Sequence, residues 1–312
     1  MIPNASATTP KADESLEARV KLDLEKSGVA VIPNLLDGGH VERLRSRLVE
    51  QAAGEVASGL ASSNKSPSRT GKPVQYIWNL ISKGECFREL VCNERVLELA
   101  RHVLGPHITL YGCAGNAVGP GAPGGVYHRD AAFMPADAPW PVELNVLYML
   151  DDFTEENGAT MVVPGSHLRL ASEMTSESFQ HEAVSITGAA GSAVLFDNRV
   201  WHAIGANRTP DVTRHAFLTL YCVAWLRPQT NWTMITAPAL YESTTPQLRE
   251  LLGYHIYRAL GSGANIYGTG VDRDAAKRAS EAGVTAYDDY DWGWLEPDSF
   301  VWGELDSSGE PK

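Results

Sequence analysis

The stretch RHAFLTLYCVAWL, residues 214–226, decides what kind of fold this chain adopts. It is a strong strand pattern of aromatic, aliphatic and β-branched residues, and it starts directly after the turn-rich GANRTPD at 205–211. Shorter β-rich segments precede it: HITLYGCAGNAV (107–118), VELNVLYML (142–150), ATMVVPGS (159–166) and GSAVLF (191–196). Turn clusters such as TEENG and PGSH separate them, and this spacing predicts an antiparallel sandwich or jelly roll.

The N-terminal third has a different texture. SLEARVKLDLEKSG (15–28) has helical periodicity closed by Gly28, VAVIPNLL (29–36) is a short buried strand, and HVERLRSRLVEQAAGEV (40–56) is a second helix. CFRELVCNERVLELARHVLG (86–105) is expected to form a third helix ending at Gly105. Between the last two lies SSNKSPSRTGKPVQYIWNL (62–80), a Ser/Pro/Lys loop followed by an aromatic strand-like segment; a loop this long is more often functional than idle. Residues 1–13 are expected to form a loose tail, and 14–312 a single domain: a helical part at 14–106, the β core at 107–227, and an irregular Trp/Tyr/Asp-bearing region at 228–312.

The chain has 312 residues, with 26 basic against 38 acidic side chains and a formal charge of −12, which argues against a nucleic-acid partner. Its four cysteines show no C-x-x-C spacing, so neither a zinc ribbon nor a redox pair is expected. No export leader or apolar run of membrane-spanning length is found, so a cytoplasmic protein without a membrane partner, a monomer or homodimer, is expected.

YHRDAAF (127–133) carries the chemistry. His128-Arg129-Asp130 with the upstream GPGAPG (119–124) mimics kinase motifs, but the glycines immediately precede His128, Pro135 stands where a magnesium-binding Asn belongs, and no D-F-G follows. The alternative is a metal site, because His128 and Asp130, two residues apart on an extended segment, project from one face. His202 supplies a third ligand. If 202 and 214 flank a hairpin-like turn with its midpoint at 208, Arg214 faces His202 across the strand pair, while His215 points away. Two histidines and one carboxylate form the facial triad of non-haem Fe(II) oxygen chemistry, which leaves positions for a 2-oxo acid and O2. The planar fork of Arg214 then suits the far carboxylate of 2-oxoglutarate.

HRD at 128–130, DDFTEENGATMVVPGSH at 151–167 and WHAIGANRTPDVTR at 201–214 resemble the phytanoyl-CoA dioxygenase family of Fe(II)/2-oxoglutarate-dependent oxygenases, over roughly residues 28–227. The resemblance implies a mainly β fold, with a double-stranded β-helix (jelly roll, cupin-like) core and flanking N-terminal α-helices. It implies that His128, Asp130 and His202 ligate iron and that Arg214 binds the C5 carboxylate of 2-oxoglutarate. Thr160 and Asn145 are further cosubstrate candidates or ordinary strand residues, and His167 in the PGSH turn is structural. Many members carry a small hydroxyl residue two positions after the distal His, where this chain has Ile204. Family halogenases replace the carboxylate ligand with a small residue, so Asp130 argues against halogenation.

The expected reaction oxidises a small-molecule metabolite, by default through hydroxylation, with release of succinate and CO2. Tyr76 and Trp78 are candidate aromatic walls of the substrate pocket or simple core, and the C-terminal Trp/Tyr run is a candidate second lid. An acyl-CoA substrate is less suited, since Lys65, Arg69 and Lys72 are the one phosphate-binding cluster found. The competing readings are a cupin-like metal-dependent isomerase or hydrolase, which has no use for a buried Arg214, and a non-catalytic jelly-roll binding protein.

Overall fold

The structure, a computed structural model, describes residues 13–63, 74–130, 134–135, 138–254 and 257. The loop at 64–73, with Lys65, Arg69 and Lys72, and the Trp/Tyr run at 287–300 lie outside the described residues. The chain divides into two compact units, Met1–Ser243 and Thr244–Lys312. Within the second, a helix at Pro246–Leu251 is capped by the Thr245 hydroxyl, which accepts from Leu248 N. Among the described residues, no helix is long and apolar enough to cross a membrane.

In the first unit, α1 (Asp13–Ser27) leads into β1 (Val29–Ile32) through Gly28, whose φ of +70° is open to glycine at little cost. α2 (Gly38–Ala57) follows, capped by Asp37, then β2 (Ser62–Ser63) and β3 (Val74–Trp78). The expected single helix over 86–105 is two: α3 (Glu85–Val91) and α4 (Glu94–Leu104). Asn93 ends the first and starts the second by accepting from Val96 N with its side chain, so a capping residue inside a continuous helical pattern breaks it.

The β core comprises β4 (Ile108–Val118), β5 (Glu143–Met149), β6 (Met161–Val162), then α5 (Ser176–Glu182), β7 (Val184–Ser185), β8 (Ala193–Asp197), β9 (His202–Ala203) and β10 (Arg214–Val223). A sheet in the order β1-β8-β5-β10-β4-β3-β2 faces a smaller one in the order β7-β6-β9. The N-terminal third thus contributes to the large sheet the expected strand at Val29–Ile32 and the strand-like aromatic segment at Val74–Trp78, as well as β2.

Antiparallel register sorts the side chains of the large sheet. One face carries Val29, Leu147, Met149, Val194, Phe196 and Ala216, which pack with Val162, Phe153 and Ile186 on the side of the small sheet. The opposite face lies under the helices: the Phe217 ring is 5.2 Å from Phe87 of α3, and Tyr221 donates its hydroxyl to Val91 O at 2.8 Å. At Gly115 a Cβ would lie 2.4 Å from Leu48 of α2, so this strand position admits the helix only without a side chain. With the helices on one face and the small sheet on the other, the protected interior lies between the two sheets. Trp232, in the short helix Trp232–Ile235, donates its indole N–H to Leu110 O at 2.6 Å and ties the start of the C-terminal region to β4.

Candidate metal and cosubstrate centre

His202 opens β9, and its backbone exchanges both hydrogen bonds with His128, at 2.9 and 3.0 Å. The bridge draws two segments 74 residues apart in sequence into contact, with ring centroids 4.3 Å apart. Each imidazole also sets its Nδ1 against a main-chain oxygen two residues back: His128 against Val126 O at 2.9 Å, His202 against Val200 O at 3.0 Å. With Nδ1 donating, the Nε2 lone pair is free for a metal, the orientation that ligating histidines adopt. Nε2 of His128 lies 3.7 Å from Asp130 Oδ1, and Nε2 of His202 lies 3.5 Å from Asp130 Oδ2. One ligand atom from each residue falls within 4.8 Å of the others. Two neutral imidazole nitrogens and one carboxylate, with no fourth side chain in the cluster among the described residues, match the donor set of Fe(II) with open positions rather than closed structural zinc. Burial lowers the His202 imidazole below its ordinary pKa, opposed by Asp130 and assisted by His128, so its neutral, ligating form prevails at neutral pH.

The carboxylate is held from two sides. Asp130 N donates to Asn198 O at 3.0 Å, and Asn145 donates its amide to Asp130 Oδ2 at 2.6 Å. Asn198 in turn accepts from Val142 N and Glu143 N, both at 3.2 Å, and so joins the Asp130 loop to the start of β5. Asn198, in the FDN that follows GSAVLF, was not singled out in the sequence, because nothing local marks an Asn in a turn as the partner of a strand 55 residues away. Glu143 is fully buried, and neither of its carboxyl oxygens has a hydrogen-bond partner among the described residues; burial pushes its carboxyl well above the usual range, and Asp130 adds to the effect.

Arg214 does not face His202 across a hairpin. β9 pairs with β6 in the small sheet, whereas β10 pairs with β4 and β5 in the large one, with Arg214 opposite Val118. The ten-residue β10 finds two long partners and the two-residue β9 finds neither of them, so the connection crosses between sheets. Asn207 pins that crossing, donating to Val118 O and Val212 O at 2.8 Å each while its own amide oxygen accepts from Thr209 N. It also bridges Asn157, so the ENG and GAN texts meet in space. Their glycines permit it: at Gly205 a Cβ would lie 2.3 Å from Ala159 O.

This crossing presents Gly158 O to Arg214 Nη2 at 2.7 Å, while Asn116 Oδ1 accepts from Nη1 at 2.9 Å. The guanidinium carbon is 4.3 Å from the Phe153 ring centroid, and Nε has no partner among the described residues. Arg214 is fully buried, and burial lowers its pKa to about 10, which leaves it charged at neutral pH. Among the described residues no carboxylate forms an ion pair with it. A buried cation of this kind is costly unless an anion arrives. Thr160 is buried just before β6, and its carbonyl accepts from Ile186 N at 2.8 Å.

Tyr76 and Trp78 occupy one face of β3, with rings stacked 5.5 Å apart. Tyr76 and Ile204 pack on the same small cluster of Val74, Val118 and Ala122, next to the turn that follows His202. His215 faces the other way, as expected, with Nδ1 2.7 Å from Asp151 Oδ2. His167 lies under Gly28, where a Cβ would be 2.6 Å from its Nδ1, and is wedged in the core away from the triad.

The sequence profile described as Phytanoyl-CoA dioxygenase (PhyH) matches residues 24–216. Dioxygenase af480 of Aspergillus fumigatus is 31% identical over 267 residues, 84% of this chain and 83% of that one. The iron/alpha-ketoglutarate-dependent dioxygenase penM of Penicillium thymicola is 29% identical, over 76% of this chain and 77% of its own. The crystal structure of the epimerase SnoN in complex with Fe3+, alpha ketoglutarate and nogalamycin RO superposes with a TM-score of 0.57 at 20% identity, covering 76% of this chain and 94% of that one, and shares the fold. With the profile spanning the three motif segments and a relative this similar over most of its length, the chain belongs to the phytanoyl-CoA dioxygenase family.

Proposed function

We infer that this protein is an Fe(II)- and 2-oxoglutarate-dependent dioxygenase that oxidises a small-molecule, natural-product intermediate. The observation that carries the reading is the convergence of His128, Asp130 and His202 in the same unit as the fully buried Arg214, with which no carboxylate forms an ion pair among the described residues. Relatives named as dioxygenases, one of them iron/alpha-ketoglutarate-dependent, support it, as does a fold shared with the epimerase SnoN, crystallised in complex with Fe3+, alpha ketoglutarate and nogalamycin RO. Iron held by His128, Asp130 and His202 would supply the oxidative chemistry that couples decarboxylation of 2-oxoglutarate to succinate and CO2 with oxidation of the substrate, hydroxylation being the simplest outcome.

The chain's own residues supply binding, orientation and shielding. His128 and His202 offer Nε2 because their Nδ1 atoms are engaged by backbone. Asn145 orients the Asp130 carboxylate and leaves its other oxygen for the metal. Arg214 clamps the far carboxylate of 2-oxoglutarate through Nε and the outer edges of its fork, with Asn116 and Gly158 O fixing its plane. Thr160, two residues after the Gly158 carbonyl that accepts from Arg214, is assigned as a further cosubstrate contact. Tyr76 and Trp78 wall the substrate side.

The test is anaerobic addition of Fe(II) and 2-oxoglutarate to metal-free protein. A weak visible metal-to-ligand charge-transfer band in the wild type, lost in Asp130→Ala and weakened in Arg214→Ala, is expected, followed by substrate-dependent succinate release in air. A wild type without the band overturns the reading.

A further inference from the structure

The residues that alternate with the two histidine ligands form a continuous series of ring contacts on the back of the site. Because His128 and His202 exchange both backbone hydrogen bonds, antiparallel register sets Arg129 opposite Trp201. The guanidinium carbon of Arg129 is 5.3 Å from the Trp201 ring centroid, a cation–π distance across the strand pair. Phe179 of α5 then touches both segments at once. Its ring is stacked on Tyr127 at 4.7 Å with a 7° interplanar angle, and tilted against Trp201 at 5.1 Å and 42°. Tyr127 and Trp201 immediately precede the two histidines, so one phenyl ring braces both ligand-bearing strands.

The element carrying this ring leads directly into β7, which pairs with β6. α5 is seven residues long and has no buried residue. A helix this short does not persist without tertiary support. Its segment is closed by the Arg169–Glu182 ion pair, and the ring contacts of Phe179 join it to the ligand strands. β9 itself is two residues long, and the backbone bonds between its segment and that of His128 are few: the exchanged His128–His202 pair, Gly125 N to Ile204 O at 2.7 Å and Asp130 N to Asn198 O at 3.0 Å, so the ring contacts add a side-chain brace to a short bridge.

We propose that Phe179 is a positioning residue for the metal centre: through Tyr127 and Trp201 it fixes the separation of the His128 and His202 backbones and so preforms the metal-binding pair. This rests on the assignment of His128, Asp130 and His202 as iron ligands. Groups that orient metal ligands from behind typically contribute about 10- to 100-fold in metal affinity.

The experiment compares Phe179→Leu, Phe179→Ala and Phe179→Tyr in the full chain. Fe(II) affinity is titrated anaerobically, the d–d spectrum of the Co(II)-substituted protein is recorded, and the melting temperature of the metal-free protein is taken. The Leu variant, which keeps apolar volume but lacks a ring face, is expected to bind Fe(II) about 10-fold more weakly and to alter the Co(II) spectrum, with the metal-free melting temperature nearly unchanged. Phe179→Tyr is expected to restore both metal readouts. If the Leu variant binds Fe(II) as tightly as wild type with the same Co(II) spectrum, the proposal is overturned. It is also overturned if affinity falls only in step with melting temperature and Tyr does not rescue. Should Phe179→Ala fail to fold, the Leu and Tyr pair decides. Failure of wild type itself to bind Fe(II) overturns the functional assignment instead, and is read before any variant.

Discussion

Asn145 donates its side-chain amide to Asp130 Oδ2 at 2.6 Å, and so a buried strand residue sets the plane of the one carboxylate in the metal cluster. Its remaining amide oxygen is buried without a partner among the described residues. Asn145→Leu keeps the volume and removes the donor. It is expected to weaken Fe(II) binding by about 10- to 100-fold, as measured by anaerobic titration. Asn145→Asp, which places a like charge against Asp130, is expected to lose more. Unchanged affinity in both would remove Asn145 from the site.

The Arg214 cation predicts a ligand-dependent stability. Saturating 2-oxoglutarate, at 100 times its Kd, is expected to stabilise the wild-type protein by about 2.7 kcal/mol and to raise its melting temperature. Arg214→Met is expected to show no such rise. Arg214→Lys, a point charge without the planar fork, is expected to bind 2-oxoglutarate roughly 10- to 100-fold more weakly. Calorimetry on the metal-loaded proteins checks both, and a lysine variant that binds like wild type would remove the bidentate clamp from the mechanism.

Glu143 predicts a pH dependence of the metal-free protein. Burial and the neighbouring Asp130 raise its carboxyl pKa well above 4.5 in the folded chain. Below the ordinary glutamate range the group is neutral in both states and costs nothing. As pH rises past that range, the unfolded chain releases a proton that the folded chain keeps, so stability falls until the raised folded value is passed. Glu143→Gln is neutral throughout. Its melting temperature relative to wild type is therefore expected to increase from pH 5 to pH 8, measured without metal. A difference that stays constant over that range would show the carboxyl ionising normally.

The backbone crossing predicts two opposite glycine substitutions. A Cβ at Gly205 would sit 2.3 Å from Ala159 O, so Gly205→Ala is expected to destabilise by about 2 kcal/mol or more and to weaken 2-oxoglutarate binding through the displaced Gly158. At Gly119 a Cβ meets nothing within 4 Å, and Gly119→Ala is expected to stay within about 0.5 kcal/mol of wild type. The contrast, read by denaturant unfolding, separates a glycine that the fold needs from one that it does not.

Much of the site was legible locally. His128 and Asp130 stand two apart on an extended segment, a period-two relationship that needs no knowledge of the fold. Asn145 was singled out with a cosubstrate role in view, and its side-chain amide hydrogen-bonds the Asp130 carboxylate. Asn198, Glu143 and Phe179 went unread, since each acts through a partner more than ten residues away and none has a spacing that marks it. The break between α3 and α4 was missed because Asn93 sits inside an apolar repeat that continues in phase on both sides.

By itself the sequence determined the strand and helix segments, the ends of α1 and α4 at glycines, the residue types able to hold a metal, and family membership, because all of these depend on neighbours a few residues away or on ordered text. Only the tertiary structure decided that His202 pairs with His128 and that Arg214 belongs to the other sheet. Strand partners are chosen by burial and register across the whole core, and a two-residue strand such as β9 carries too short a pattern to declare its partner.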